Sequence, residues 1–247
     1  MTPAQSLQTY LHQHFLPLPE FARRVGMSPA GVQALIDAGA IPGPVYTTWP
    51  NGAFWSPVGG QHSGPPLGDL THWYAPSALW WARRATVLRL APTVAADQFR
   101  AGFVAAFCAT LAAHPLGILG YPEVFANGVL DPDLTARKAA AEYQDWIDGG
   151  YAVCMRRWDA ADVITKMVQR GRIIALTRSG TLETLTPDAK LDLLDAMESL
   201  EAVMLPFAPH QRPAGTPGLW IDAILARYDL GGPLAEPTTA IPDRLCA

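Results

Sequence analysis

The chain has 247 residues, a net charge of −4, 49% hydrophobic residues and only 16% charged residues. A typical globular domain carries about 25% charged residues, so much of this surface falls to Ala, Pro, Gly, Thr and apolar side chains, which leaves room for a dimer interface or an apolar pocket. The acidic balance argues against general nucleic-acid affinity, which rests on phosphate neutralisation by Lys and Arg, and no basic run suggests a membrane surface.

Cys108, Cys154 and Cys246 are far apart, odd in number and in no metal-ligand spacing. A reduced, cytoplasmic setting is therefore the expectation. The N-terminus lacks the basic start and apolar run of a signal peptide. The apolar run from Ala101 to Ala113 is too short to span a bilayer and reads as a buried helix.

In chain order, Thr2 or Pro3 to about Phe15 predicts a first helix, with Leu7, Tyr10, Leu11 and Phe15 on one side. Pro19 fits the first turn of a second helix that runs to Val25 and closes at Gly26. Ser28 as N-cap and Pro29 as first residue open a third, which runs to Ala38 and stops at Gly39. This pair has the pattern of a helix-turn-helix. Its presumed reading helix carries no Lys or Arg, and Gln33 is the one side chain suited to a base edge. Arg23 and Arg24 are balanced by Glu20 and Asp37, so DNA binding is the minority reading and a packing or docking unit the alternative.

From Ile41 to Ala75 prolines and glycines prevent long regular elements, while Tyr46, Trp49, Phe54, Trp55, Trp73 and Tyr74 argue against disorder. An ordered loop is expected. Short strands around Gly43 to Trp49 and Ala53 to Val58, joined by Asn51-Gly52, would make a small β-hairpin within it. Helices follow from Pro76 to Leu90, Pro92 to Ala113, Pro132 to Ile147, Asp159 to Arg170 with Gly171 as stop, Thr186 to Met204, and Trp220 to Tyr228. Val153 and Ile173 to Leu176 carry weak strand signals. The expected class is all-α, a compact irregular helical domain with a helix-turn-helix-like unit at residues 1–45 and a helical body at 46–247 packed as one globular unit.

The segment HWYAPSALWWARR, residues 72–84, is the densest functional candidate. Trp80 and Arg84 are four apart, which permits a cation–π pair. His72, Trp73 and Tyr74 are expected just before a helix start, where free N–H groups favour an anion. His72 or Tyr74 would act as acid or base, Trp73 and Trp80 would form aromatic walls, and Arg83 and Arg84 would hold an acidic group. The Pro-rich segment 206–218 adds His210 as a second acid or base and Arg212 as a grip for a carboxylate or phosphate. The plainer alternatives are that the tryptophans fill the core and that Arg212 closes a surface ion pair. Cys154 reads as a buried small hydrophobe rather than a nucleophile. His12 and His14 fall on different helix faces, and no metal or nucleotide motif occurs, so no metal and no cofactor are expected.

Three segments, LIDAGAIPGPVY at 35–46, GYAVCMRR from Gly150 followed by ITKMVQRGRIIALT, and LPFAPHQR at 205–212, come in an order that resembles a bacterial natural-product biosynthesis family of unknown function. The resemblance implies an accessory or tailoring role and brings no catalytic residue. The combined expectation is a protein that binds or acts on a small acidic or aromatic metabolite, alone, as a homodimer or with a pathway enzyme. The alternative is a DNA-binding or protein-docking regulator built on residues 18–46.

Overall fold

The computed structural model describes residues 3–231, with side chains from residue 7 onward; the expected helix start at Thr2 and the cysteine Cys246 lie outside the described residues. The chain divides into two units. Among the described residues, one holds 3–104 together with Ala140–Trp158, and the other holds Ala105–Ala139 together with 159–231.

The first unit opens with α1 (Pro3–His14), whose Leu7, Tyr10 and Leu11 are buried. After β1 (Leu16–Pro17) come α2 (Leu18–Val25) and α3 (Pro29–Asp37). The local chemistry of this pair is as the sequence predicts. Ser28 Oγ accepts the Gly31 N–H at 3.1 Å, Pro29 fills the first turn, and Phe21, Val25, Val32 and Leu35 face inward.

The all-α expectation is overturned by a five-stranded antiparallel sheet in this unit and a two-stranded one in the second. The sheet comprises β1, β2 (Tyr46–Thr48), β3 (Phe54–Ser56), β4 (Gly60–His62) and β5 (Thr71–Tyr74), in the order β1-β5-β2-β3-β4. The expected hairpin is its middle. Trp49 N–H bonds to Ala53 O at 2.9 Å, and Gly52 takes φ 84, a left-handed value that glycine adopts without strain. The remaining strands are two to four residues long, too short for an alternating pattern to register. Residues 71–74, expected as a loop before a helix, are the strand that joins the hairpin to β1.

A 3-10 turn at Pro76–Ala78 leads from β5 into α4 (Leu79–Val87). The core of this unit is aromatic. It draws on α4, α5 (Pro92–Ala113), the end of α7 (Pro132–Ile147) and the segment up to Trp158. Phe103 stacks on Trp158 at 4.8 Å and Trp158 on Trp146 at 5.1 Å. Trp81 meets Phe99 edge-on at 4.9 Å and donates its indole N–H to the Trp158 carbonyl at 2.9 Å.

In the second unit, α6 (Gly117–Gly120) precedes a small hairpin of β6 (Phe125–Ala126) and β7 (Val129–Leu130), turned by Asn127-Gly128. Then come α8 (Ala160–Thr177), α9 (Pro187–Val203), a π-helical turn at Gly218–Asp222 and α10 (Ala223–Tyr228). Asp159 caps α8 by accepting the Asp162 N–H, and Thr186 caps α9 by accepting the Ala189 N–H. Val153 lies in a turn and Ile173–Leu176 within α8, so neither weak strand signal corresponds to a strand. Among the described residues, no helix is long and apolar enough to cross a membrane.

Gly171 does not stop α8, which continues to Thr177. It is glycine because α6 crosses there: a Cβ would run into the Leu119 carbonyl, and one on Gly120 would press on the Val168 backbone. Replacing Gly171 with Ala should therefore destabilise the protein by about 1–3 kcal/mol, although helix propensity alone favours Ala by about 1 kcal/mol. Urea unfolding measures the balance, and a more stable variant would refute this close crossing.

Candidate functional site

Strand register decides which side chains meet on the sheet. Directly opposed residues in antiparallel strands point to the same face. Thr47 pairs with both His72 and Trp55, and Trp55 pairs with Gln61. His72, Thr47, Trp55 and Gln61 therefore form one row across β5, β2, β3 and β4. On the other face Trp73 donates its indole N–H to Thr48 Oγ1 at 3.0 Å and meets the His12 ring edge-on, while Phe54 stacks on His62.

The row becomes more exposed from β2 towards β4. Thr47 is buried, His72 half-buried, Trp55 37% exposed and Gln61 exposed. Thr47 Oγ1 lies 3.1 Å from His72 Nδ1. In the tautomer that donates Nδ1–H to Thr47, Nε2 is left as an acceptor; in the other, the threonine hydroxyl donates and Nε2–H is a donor. Gln61 Nε2 turns back to the Gly64 carbonyl at 3.2 Å, which leaves its amide oxygen for other partners. The arrangement offers a flat indole two strands from a neutral imidazole on the same face, with no Lys or Arg in the row. Such a surface accepts a planar, hydrogen-bonding group more readily than a bare anion.

The other sequence candidates scatter. Trp73 and Tyr74 are core residues, and Tyr74 packs tilted against Phe21 at 5.6 Å. Burial pushes the Tyr74 phenol up, away from use as an acid near neutral pH. Residues 72–74 belong to an inner strand whose edges are paired with β1 and β2, rather than to a free helix start. Trp80, Arg83 and Arg84 are exposed on α4, with the Arg84 guanidinium 5.2 Å from the Trp80 ring centre. His210 is exposed in a turn of the second unit. Arg212 in the same unit is engaged by two carboxylates. It grips Asp222 through Nε and Nη2, both at 2.8 Å, and reaches Glu201 at 3.0 Å. These bonds raise its already high basicity.

The helix-turn-helix-like pair also uses its polar groups internally. Arg23 and Arg24 both bond Glu20, at 2.7–2.8 Å, and hold its carboxyl down at about 2. Gln33 bonds Asp37 at 2.8 Å. Cys154 is buried with its thiol near the Gly150 and Tyr151 carbonyls. Among the described residues, His, Cys, Asp and Glu form no group able to hold a metal ion.

Thr47 and Trp55 were not singled out from the sequence, yet a signal existed. The Asn51-Gly52 turn fixes the hairpin register, and that register sets Thr47 opposite Trp55. Only the pairing of β5 brings His72 to them.

Burial lowers His72 below its ordinary value of 6.5, so the folded protein takes up that proton less readily than the unfolded chain. The resulting stability is present above about pH 6.5 and is lost as the pH falls through the lower folded value. A His72→Gln variant should show a flatter decline of unfolding free energy from neutral to mildly acid pH. An unchanged slope would locate the acid sensitivity elsewhere. Arg212→Ala should cost about 1.5–3 kcal/mol of stability by stranding Glu201 and Asp222, with Arg212→Lys restoring only part, because an ammonium cannot grip a carboxylate in fork geometry; thermal unfolding reads both.

A family of unknown function, DUF6058, matches residues 99–229, more than half of the chain. The sheet row lies before that span. No curated protein and no solved structure matches the chain. By its matched residues the chain belongs to the DUF6058 family, whose function is unknown.

Proposed function

We propose that this protein binds a small, flat, aromatic metabolite on the exposed sheet face and serves as an accessory or tailoring protein of bacterial natural-product biosynthesis. The observation that carries the binding reading is the row itself: neutral His72 oriented by Thr47, with the exposed ring of Trp55 on the same face across Thr47. Stacking on the indole and one hydrogen bond to His72 Nε2 would each contribute about 1 kcal/mol. His72 is also the group that would exchange a proton with a bound ligand, because its lowered basicity keeps it unprotonated at neutral pH. An aromatic ligand fits better than an acidic one, since Arg212 is taken up by its own carboxylates and no cation joins the row. The natural-product setting rests on the resemblance of three sequence segments.

The regulator alternative has less behind it. The α2–α3 pair has the right local geometry, but Arg23 and Arg24 close on Glu20 and Gln33 closes on Asp37, which leaves little to meet phosphate or a base edge.

The test is a tryptophan-fluorescence titration with a panel of planar aromatic acids, amides and phenols. His72→Ala and Trp55→Ala should each weaken binding by about five- to tenfold while circular dichroism stays unchanged. Equal affinity in both folded variants would remove the sheet face from consideration.

A further inference from the structure

We propose that the outward face of α4 docks onto the outward face of α9 in a second copy of this chain. At 3.6 residues per turn, positions 80, 83, 84, 87 and 88 fall on one side of α4 and its C-cap. All five are exposed: Trp80, Arg83, Arg84, Val87 and Leu88. Trp80 is 46% and Val87 71% exposed. The opposite side, with Leu79, Trp81, Ala82 and Ala85, is buried in the aromatic core. An outward face of this make-up is unusual. An ordinary solvent face mixes both signs of charge with polar residues, whereas this one holds only apolar groups and arginine, the composition enriched at interface centres.

The charge is one-sided well beyond the helix. No Asp or Glu occurs between Asp69 and Asp97, a stretch that contains Arg83, Arg84 and the exposed Arg89. Among the described residues none of these three guanidiniums makes an ion pair, and Arg84 instead lies over Trp80, which holds both in place for a partner.

The complement is on α9. Its exposed side carries Asp188, Leu191, Asp192, Asp195 and Glu198, again at helical spacing, and Leu191 is 67% exposed. Arg172 of α8 reaches Asp195 at 2.7 Å and Asp192 at 3.7 Å. Among the described residues Asp188 and Glu198, towards the two ends of the stripe, make no ion pair. One helix thus presents arginines around exposed apolar side chains, and the other presents carboxylates around an exposed leucine. Docking covers both apolar groups and pairs opposite charges. The two faces differ, so the contact is heterologous and continues into larger species unless a ring closes. A nine-residue helix buries less than the roughly 800 Å² per partner of a standard interface, so a Kd of roughly micromolar order is expected.

Sedimentation velocity over a concentration series tests this. The native protein should grow in mass with concentration at low salt and dissociate as salt rises. Arg83→Glu/Arg84→Glu and Asp188→Lys/Glu198→Lys should each lower self-association about tenfold or more. A mixture of the two variants should associate again through the reversed charges. All four sites are exposed, and circular dichroism confirms folding; Val87→Gln serves as a second, charge-neutral probe and should also weaken association. A protein that stays monomeric throughout, or variants that associate like the native chain, would overturn the proposal. So would a mixture that fails to associate. A monomer that instead co-sediments with anionic phospholipid vesicles through Arg83 and Arg84 would assign the face to a membrane surface and equally overturn it.

Discussion

The first unit depends on a stack of aromatic rings that gathers residues distant in sequence. Phe103, Trp158 and Trp146 lie ring on ring, and Trp81 closes the group by donating its indole N–H to the Trp158 carbonyl. Each fully buried ring of this size contributes about 2–3 kcal/mol through area removed from water, and the N–H bond of Trp81 removes the penalty of burying that indole, while among the described residues the Trp146 and Trp158 N–H groups have no partner. Four segments are thereby fixed against one another: α4, α5, the end of α7 and the turn segment before α8. α4 follows β5 after only four residues, so the stack also anchors one end of the sheet. At the same end Leu16 pairs with Tyr74.

That anchoring gives the sheet row its character. An inner strand has its backbone groups consumed by two neighbours, so β5 can offer a ligand only side chains. Of these, Trp73 and Tyr74 are spent on packing, Thr71 lies off the row, and His72 remains. Its half-buried position has two effects with one cause. Desolvation disfavours the imidazolium, and the neighbouring Thr47 hydroxyl fixes one ring nitrogen. Trp55, one strand further out, supplies flat surface where the sheet opens to solvent.

The helices were legible because their ends are chemically marked. Ser28, Asp159 and Thr186 cap as their side chains demand, and Pro29, Pro92, Pro132 and Pro187 sit in first turns. Strands of two to four residues carry no comparable mark. Their existence depends on partners far along the chain, as when Leu16 meets Tyr74. Asn127-Gly128 turns a tight hairpin with both residues at positive φ, unlike Asn51-Gly52, where only Gly52 takes positive φ, and the two-residue strands flanking it carry no pattern of their own. Gly171 shows the converse error. A glycine inside a helical pattern reads as a terminus, while its cause is a neighbour's carbonyl at a crossing that admits only hydrogen. For the candidate site, His72 stands out by residue type, and residue type also drew in Trp73, Tyr74 and Arg212. Trp73 and Arg212 satisfy their polar groups internally, and Tyr74 is sunk in the core.

Arg212 lies within the stretch whose two ends it grips, Glu201 and Asp222. The intervening backbone is rich in proline, and this guanidinium ties its ends together alongside the buried Met204, Leu205, Ala208 and Ile221. The arrangement acts as a reversible cross-link, closing a loop of about twenty residues and restricting the chain much as a covalent bridge would. A covalent bridge answers to redox conditions, whereas this one answers to ionic ones. Concentrated salt would loosen the grip on the segment around His210 while leaving the packed helices α8 and α9 intact. Local order in that part of the second unit therefore answers to electrolyte as well as to hydrophobic packing.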